Sequence, residues 1–269
     1  LLGLQGARNG GVETLVGTGE TGWSVWNSTT VAELNLKAGA DGFAGFTASG
    51  QSSIMGIERP LGIGRVGLIG ATGTTTSNFS QPSTRVSSDS WHLGAYASTP
   101  VAPFFADIAF IFGRIDNDAR RNIEFPGYTA RTRAKFGSDE YSLRIGGGLQ
   151  VMPAESVWEI TPTEHLLYVG GMQAALEESG GGVLGARVKS SRAGGFANEV
   201  GLTVGRRWVV RGVGVAVRLK SDWVHDFDGS GSVKAAFAGA PSSSGWFSSR
   251  AGSAGRDAFK FNGSVEFTL

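Results

Sequence analysis

Two stretches of this 269-residue chain carry glycines at the spacing of a dinucleotide loop: Gly17-Thr18-Gly19-Glu20-Thr21-Gly22 and Gly62-Ile63-Gly64-Arg65-Val66-Gly67. Such a loop cradles a pyrophosphate when it follows a strand and opens a helix. The second stretch runs on into Leu68-Ile69-Gly70-Ala71-Thr72-Gly73, whose glycine and β-branched residues do not start a helix. With 43 Gly in the chain, chance matches are expected, and neither stretch is read as a nucleotide site. Asp226-Phe227-Asp228-Gly229-Ser230-Gly231 resembles the start of a calcium loop. Position twelve of that loop is Phe237, where a bidentate Glu is required, so the match fails. His92, His165 and His225 lie far apart in sequence, and no Ser sits in a nucleophile elbow. The sequence therefore predicts no catalytic, cofactor-binding or metal residue, and no cofactor.

Composition narrows the classes further. There is no Cys, which excludes a disulfide scaffold and a thiolate metal site. Charged residues make up 17%, below the roughly 25% usual for a soluble globular chain. Lys+Arg 24 against Asp+Glu 23 gives no basic excess, which argues against nucleic acid as a partner. The cations are mostly Arg (18 Arg to 6 Lys), the side chain suited to bidentate pairing in confined places or to a GC-rich genome. No run approaches the ~18 apolar residues of a spanning helix, and no Lys/Arg-led signal peptide opens the chain. It begins Leu1-Leu2-Gly3 without Met and reads as a fragment or a processed product.

The elements that would carry any site have period 2. In Tyr141–Val151, Tyr141, Leu143, Ile145, Gly147, Leu149 and Val151 share one face, and Ser142, Arg144, Gly146, Gly148 and Gln150 the other. Phe259, Phe261, Gly263, Val265, Phe267 and Leu269 alternate with Lys260, Asn262, Ser264, Glu266 and Thr268. The runs from Phe196 and from Arg211 repeat the pattern, and strands are also predicted near 22–33, 47–59, 62–74, 87–98, 103–116 and 157–172. Short turns near 60–62, 99–102, 152–156 and 207–211 alternate with longer polar connections at 75–86, 117–135, 174–194 and 228–256. A membrane barrel is organised this way, with tight turns at one rim and long loops at the other.

The second face decides between a soluble sandwich and a barrel. It is rich in Gly, Ser and Ala with sparse charge of both signs, which suits the wall of a narrow lumen. Leu143, Ile145, Leu149, Val213, Val215, Val217, Phe259 and Phe261 are expected to face lipid, and Arg144, Glu199, Arg218 and Asp222 to face inward. Trp23, Trp91, Trp158, Trp208 and Trp223 fall near predicted strand ends, where an interfacial girdle would put them. At roughly 22 residues per strand with its share of turn and loop, the chain has room for about twelve strands; about ten can be marked.

A set of short motifs, in order, then becomes recognisable: Met55-Gly56-Ile57-Glu58-Arg59 with Gly64-Arg65-Val66-Gly67, Trp91-His92-Leu93-Gly94-Ala95-Tyr96-Ala97, Phe105-Ala106-Asp107, Asp118-Ala119-Arg120-Arg121-Asn122-Ile123, Asp222-Trp223-Val224-His225-Asp226-Phe227, Ala236-Phe237-Ala238-Gly239-Ala240-Pro241 and Gly255-Arg256-Asp257-Ala258-Phe259. Over about residues 22–269 the chain resembles the C-terminal translocator domain of type Va autotransporters. The resemblance implies an all-β fold: a transmembrane antiparallel meander β-barrel in the outer membrane of a Gram-negative bacterium, with twelve strands in the family. It implies residues 1–21 as a pre-barrel linker or lumen-threading segment and 22–269 as the barrel. The segment 1–21 is poor in helix propensity, with two helical turns around Val12–Val16 or a free linker as the options.

Two departures from the family pattern stand out. The family continues past the region matching 256–269 with another hairpin, so two further strands are expected, leaving 22–33 and 256–269 as facing edges or covered by a partner barrel. The alternative is a closed ten-strand barrel in which those segments pair. The self-cleaving branch uses an Asn-Asn junction, and Asn9-Gly10 does not supply it, so no cleavage residue is carried over.

The resulting expectation is a translocator rather than an enzyme. It anchors and exports an N-terminal passenger, with outer-membrane lipid, the covalently linked passenger and the barrel-assembly machinery as partners. The lumen-lining charges Arg65, Asp107, Arg144, Glu199, Arg207, Arg218, Lys220, Asp222 and Glu266 are expected to avoid a single-sign barrier. The alternative is a passive outer-membrane pore or small-solute channel; an outer-membrane hydrolase and a soluble β-sandwich adhesin are more distant rivals.

Overall fold

The computed structural model describes residues 14–18, 22–36, 45–80, 83–152, 156–227, 232–241, 245–250 and 256–268. Its main sheet is an all-antiparallel meander of eleven strands. In chain order they are β1 (Thr14–Thr18), β2 (Ser24–Leu36), β3 (Phe46–Leu61), β4 (Gly64–Phe79), β5 (Thr84–Val101), β6 (Phe104–Phe125), β7 (Tyr128–Leu149), β8 (Trp158–Gln173), β11 (Ser191–Val210), β12 (Val213–Asp226) and β15 (Asp257–Thr268). The shorter strands that lie between these in the chain form a second, four-stranded sheet. It contains β9 (Leu176–Glu177), β10 (Ala186–Val188), β13 (Ser232–Phe237) and β14 (Phe247–Arg250), in the order β14-β13-β10-β9. The ten long strands of the main sheet are the ten that alternation predicts.

Alternation sets the faces. On the outer face Ile145 is 47% exposed, Leu219 65% and Phe261 79%. On the inner face the buried side chains include Ser28, His92, Glu140, Thr161, Thr163, His165, Glu199 and Asp222. A water-soluble protein reverses that arrangement; a barrel wall in lipid requires it. Aromatic residues bracket the outer apolar band. Phe104, Trp158 and Trp208 stand toward one end, and Phe112, Tyr141, Tyr168 and Phe196 toward the other. From Trp158 to Tyr168 is ten residues of β8. At ~3.3 Å per residue and a tilt near 40°, that spans about 25 Å, the height of a barrel's apolar band.

The turns at one rim are tight. The second glycine motif is a β-turn: Gly62 at φ +59° joins β3 to β4. Arg211 and Gly212, at φ 52° and 86°, form the two-residue turn joining β11 to β12, because two positive φ values match the twist of the flanking strands.

The other rim differs from expectation. The segment 117–135 is not a long polar loop. β6 and β7 continue through it as a ladder of directly opposed residues up to Phe125 and Tyr128. The connection expected at 75–86 is likewise shorter, since β4 runs to Phe79 and β5 begins at Thr84. The connections 174–194 and 228–256 are not wholly irregular, because parts of them build the four-stranded sheet. Within the expected linker, residues 14–18 are extended and pair with β2 at Ser24, Trp26 and Asn27, so they are not helical; residues 1–13 and 19–21 lie outside the described residues. Trp91 lies inside β5 rather than at its end, level with the aromatic band and in edge contact with Phe112. A closed ten-strand barrel would need β2 paired along β15. Among the described residues β15 is laddered to β12, and no ladder joins it to β2.

Candidate functional site

The inner wall is the candidate site, and strand register builds it. Asp107 on β6 stands opposite Gly146 on β7, Gly146 opposite His165 on β8, and His165 opposite Glu199 on β11. A second rung runs Gly148, Thr163, Gly201, Asp222 and Lys260 through β7, β8, β11, β12 and β15. Each rung thus sets glycines beside polar side chains on the neighbouring strands, and those side chains lie over the glycine positions. A Cβ on Gly146 would fall 2.5 Å from His165 Cδ2. A Cβ on Gly201 would fall 2.6 Å from Thr163 Oγ1 and also strike Asp222.

These rungs hold a continuous charge network. Arg144 Nη1 donates to Asp107 Oδ1 at 3.2 Å and Nη2 to Glu199 Oε1 at 3.3 Å. His165 Nε2 lies 3.0 Å from Asp107 Oδ2. Lys260 Nζ donates to Glu199 Oε2 at 3.0 Å, and Lys220 Nζ is 3.7 Å from Glu199 and 2.9 Å from Asp222. Asp222 is 1% exposed. A carboxylate at that depth needs a cation beside it, because desolvation of an unpaired charge costs several kcal/mol. Five of the predicted lumen-lining residues (Asp107, Arg144, Glu199, Lys220, Asp222) meet in this one network.

The other four lie elsewhere. Arg218 donates to Glu159 Oε2 at 2.8 Å. Arg65, with a half-exposed guanidinium, donates to Glu58 Oε1 at 2.7 Å, where Tyr96 also donates to Glu58 and Trp26 Nε1 donates to the Tyr96 hydroxyl at 2.9 Å. Arg207 sits at the tight-turn rim and donates to the Ser156 carbonyl at 3.4 Å. Glu266 stands opposite Ala216 in the β12–β15 ladder, and its side chain lies outside the described residues. Sequence reasoning left out Lys260, Glu140, Glu58 and Glu159. The alternation carries the signal for Lys260, which shares a face with Asn262 and Ser264. Carrying the Tyr141 run back one residue places Glu140 on the wall.

Above the membrane band, the second sheet folds against the inner face of the β6–β7 extension. Glu178 receives Arg121 Nε at 3.0 Å, a second Arg121 nitrogen, and the Ala186 N–H at 2.8 Å. Tyr128 donates to the Gly181 carbonyl at 3.0 Å, and Thr132 and Ala134 are buried. Burial alone would raise the Glu178 carboxyl; the Arg121 hydrogen bond, the Ala186 N–H and the Arg121 charge outweigh it and hold the group below its usual range.

The family described as "Autotransporter beta-domain" matches residues 25–269. No curated protein matches the sequence. Among solved structures, the chain is similar to the translocator domain of the autotransporter NalP from Neisseria meningitidis, at 17% identity and TM-score 0.67, covering 92% of this chain and 88% of that one. It is also similar to the β domain of the Bordetella autotransporter BrkA, at 17% identity and TM-score 0.58, covering 92% of this chain and all of that one.

Proposed function

The chain belongs to the autotransporter β-domain family, and on that premise we propose that its barrel carries a covalently linked N-terminal passenger across the outer membrane of a Gram-negative bacterium. The observation that supports this most directly is the polar inner wall inside an apolar outer one. An extended chain crossing such a wall meets hydrated Ser, Thr and Gly surface and charges already neutralised by neighbours across the strands. A belt of one sign would hold or repel passenger segments of the opposite or same charge; the Asp107–Arg144–Glu199–Lys260 network does neither. In this reading residues 1–21 join passenger to barrel, the barrel-assembly machinery inserts the β-domain, and the work is transport rather than catalysis.

The test is a reporter domain fused ahead of Leu1 and expressed with the chain in a Gram-negative host. Surface display of the reporter, measured by antibody binding to intact cells and by added protease, is the expected result. A barrel that inserts and conducts small solutes but leaves every reporter on the inner side would replace the translocator by a passive pore.

A further inference from the structure

The outer face of the β6–β7 extension carries a row of arginines that export does not explain. Arg85 on β5 stands directly opposite Arg120 on β6, and Arg120 directly opposite Arg133 on β7. Opposed residues share a face, and this is the lipid-facing one: along the same strands it carries Trp91 and Leu93, Phe110 and Phe112, and Tyr141 and Ile145. Like charges directly opposite each other destabilise a sheet. Asp118 relieves part of the row, accepting Arg133 Nε at 3.1 Å and Arg120 Nε at 3.5 Å. Arg85 has no carboxylate partner among the described residues, and neighbouring Arg131 and Lys135 add two more cations to the same face. The patch therefore keeps a positive excess on an exposed wall.

Height identifies what neutralises it. Arg120 lies eight residues beyond Phe112 on β6, which at the usual rise and tilt is about 20 Å above the aromatic band. A phospholipid headgroup layer adds only about 5–8 Å beyond the hydrocarbon, so its phosphates fall short of the row. They would instead meet Asp89 and Asp116, opposed on the same face four residues nearer the membrane. An anion that reaches the arginines must sit on a longer, saccharide-bearing headgroup.

We propose that Arg85, Arg120 and Arg133 bind phosphate groups on the saccharide of an outer-leaflet glycolipid, fixing a lipid shell against the β5–β7 wall. Guanidinium donors suit phosphate oxygens: Arg85 and Arg120 offer nitrogens that Asp118 does not engage, whereas Arg133 already holds Asp118 through Nε and a second nitrogen and contributes mainly its charge. The inference rests on the orientation of the barrel in the membrane and is independent of whether a passenger is exported.

The experiment uses the full chain purified in detergent and mixed with lipopolysaccharide that bears phosphates on its saccharide core, or with the same glycolipid lacking those core phosphates. Retained glycolipid is quantified after size exclusion. The phosphorylated form should be retained and the form without core phosphate largely lost. Each arginine replaced by Ser should weaken retention about fivefold, and R85S/R120S/R133S on the order of 100-fold. R85K/R120K/R133K keeps the charge but not the planar donors and should bind between the unmodified chain and the triple Ser variant, while R211Q, at the opposite rim, should change nothing. The reporter-display assay on the triple Ser variant separates this proposal from export, because display should persist. Equal retention of both glycolipids, an unaltered triple Ser variant, or capture of an acidic peptide in preference to the glycolipid would overturn it.

Discussion

His92 Nε2 on β5 lies 2.5 Å from Glu140 Oε1 on β7, although β6 runs between them. Gly113 makes the reach possible. It stands opposite both His92 and Glu140 in the ladders of β6, and a Cβ placed on it would enter the His92 ring. The imidazole therefore lies flat over a strand that has no side chain there. His165 does the same over Gly146 to reach Asp107. Inward glycines in this wall are the spaces through which side chains two strands apart meet. Part of the high glycine content is thereby a requirement of the polar network rather than of turns.

Gly113→Ala should accordingly destabilise the barrel by roughly 1–3 kcal/mol, the cost of overpacking a filled site, with the His92–Glu140 contact displaced. Unfolding in urea from lipid vesicles measures it. His92→Ala in the same chain should absorb most of the penalty, because the ring that the new methyl strikes is gone. Strict additivity of the two substitutions would show that the glycine serves something other than the histidine.

Glu199 receives Arg144, Lys220 and Lys260 from three different strands. Replacing it by Gln removes the carboxylate that three cations share, with Asp107 still beside Arg144 and Asp222 still beside Lys220, and should cost roughly 2–3 kcal/mol. Lys260→Met in the Glu199→Gln background should recover part of that loss, since it removes one of the cations that Glu199 neutralises. A double-mutant cycle of unfolding free energies reads the coupling, and zero coupling would mean that Lys260 is neutralised elsewhere.

What the sequence reveals here follows the solvent on each side of the sheet. Between the aromatic bands one face meets lipid, so Leu143, Ile145, Leu219 and Phe261 stand out against Arg144, Lys220 and Lys260, and strand and facing are both readable. Beyond the band the outer face of the same strands meets water instead of lipid and turns polar, while the inner face lies partly under the second sheet. Asp116, Asp118 and Arg120 then alternate with Asn117, Ala119 and Arg121, the contrast disappears, and the β6–β7 extension reads as a loop. The second sheet is hidden because its strands are short: β9 has two residues, β10 three, β14 four and β13 six, too few for a period to stand out. The network itself depends on register. Asp107, His165 and Glu199 are 58 and 34 residues apart, and the ladders that put them on one rung are set by turn lengths rather than by any local motif.

The Arg121–Glu178 pair should make closure of the second sheet over the β6–β7 face acid-sensitive. The Glu178 carboxyl is held below its ordinary value of 4.5. A depressed acid contributes its stabilisation above the unfolded value and loses it as pH falls through the folded one. Backbone hydrogen exchange across 174–190 should therefore be slow at neutral pH and accelerate as the pH falls below the ordinary glutamate range, beyond the intrinsic pH effect measured on an unfolded control. Glu178→Gln should show the faster exchange already at neutral pH and no further acid step. An identical acid step in the Gln variant would assign the transition to another group.

The facing of β12 can be tested at two adjacent positions. Leu219 points outward and is 65% exposed in the isolated chain; Lys220, the next residue, points inward to Asp222 and Glu199. Leu219 lies six residues above the tight turn and four below Trp223, near the middle of the apolar band. Leu219→Arg should cost about 2–4 kcal/mol in lipid, the penalty for a guanidinium at mid-bilayer depth on a barrel exterior. Lys220→Arg keeps the cation inside the wall and should change stability by less than about 1 kcal/mol. In short-chain detergent, where water reaches the outer wall, the Leu219→Arg penalty should shrink. Equal penalties at the two positions in lipid would contradict the inside-polar, outside-apolar assignment on which the transport reading depends.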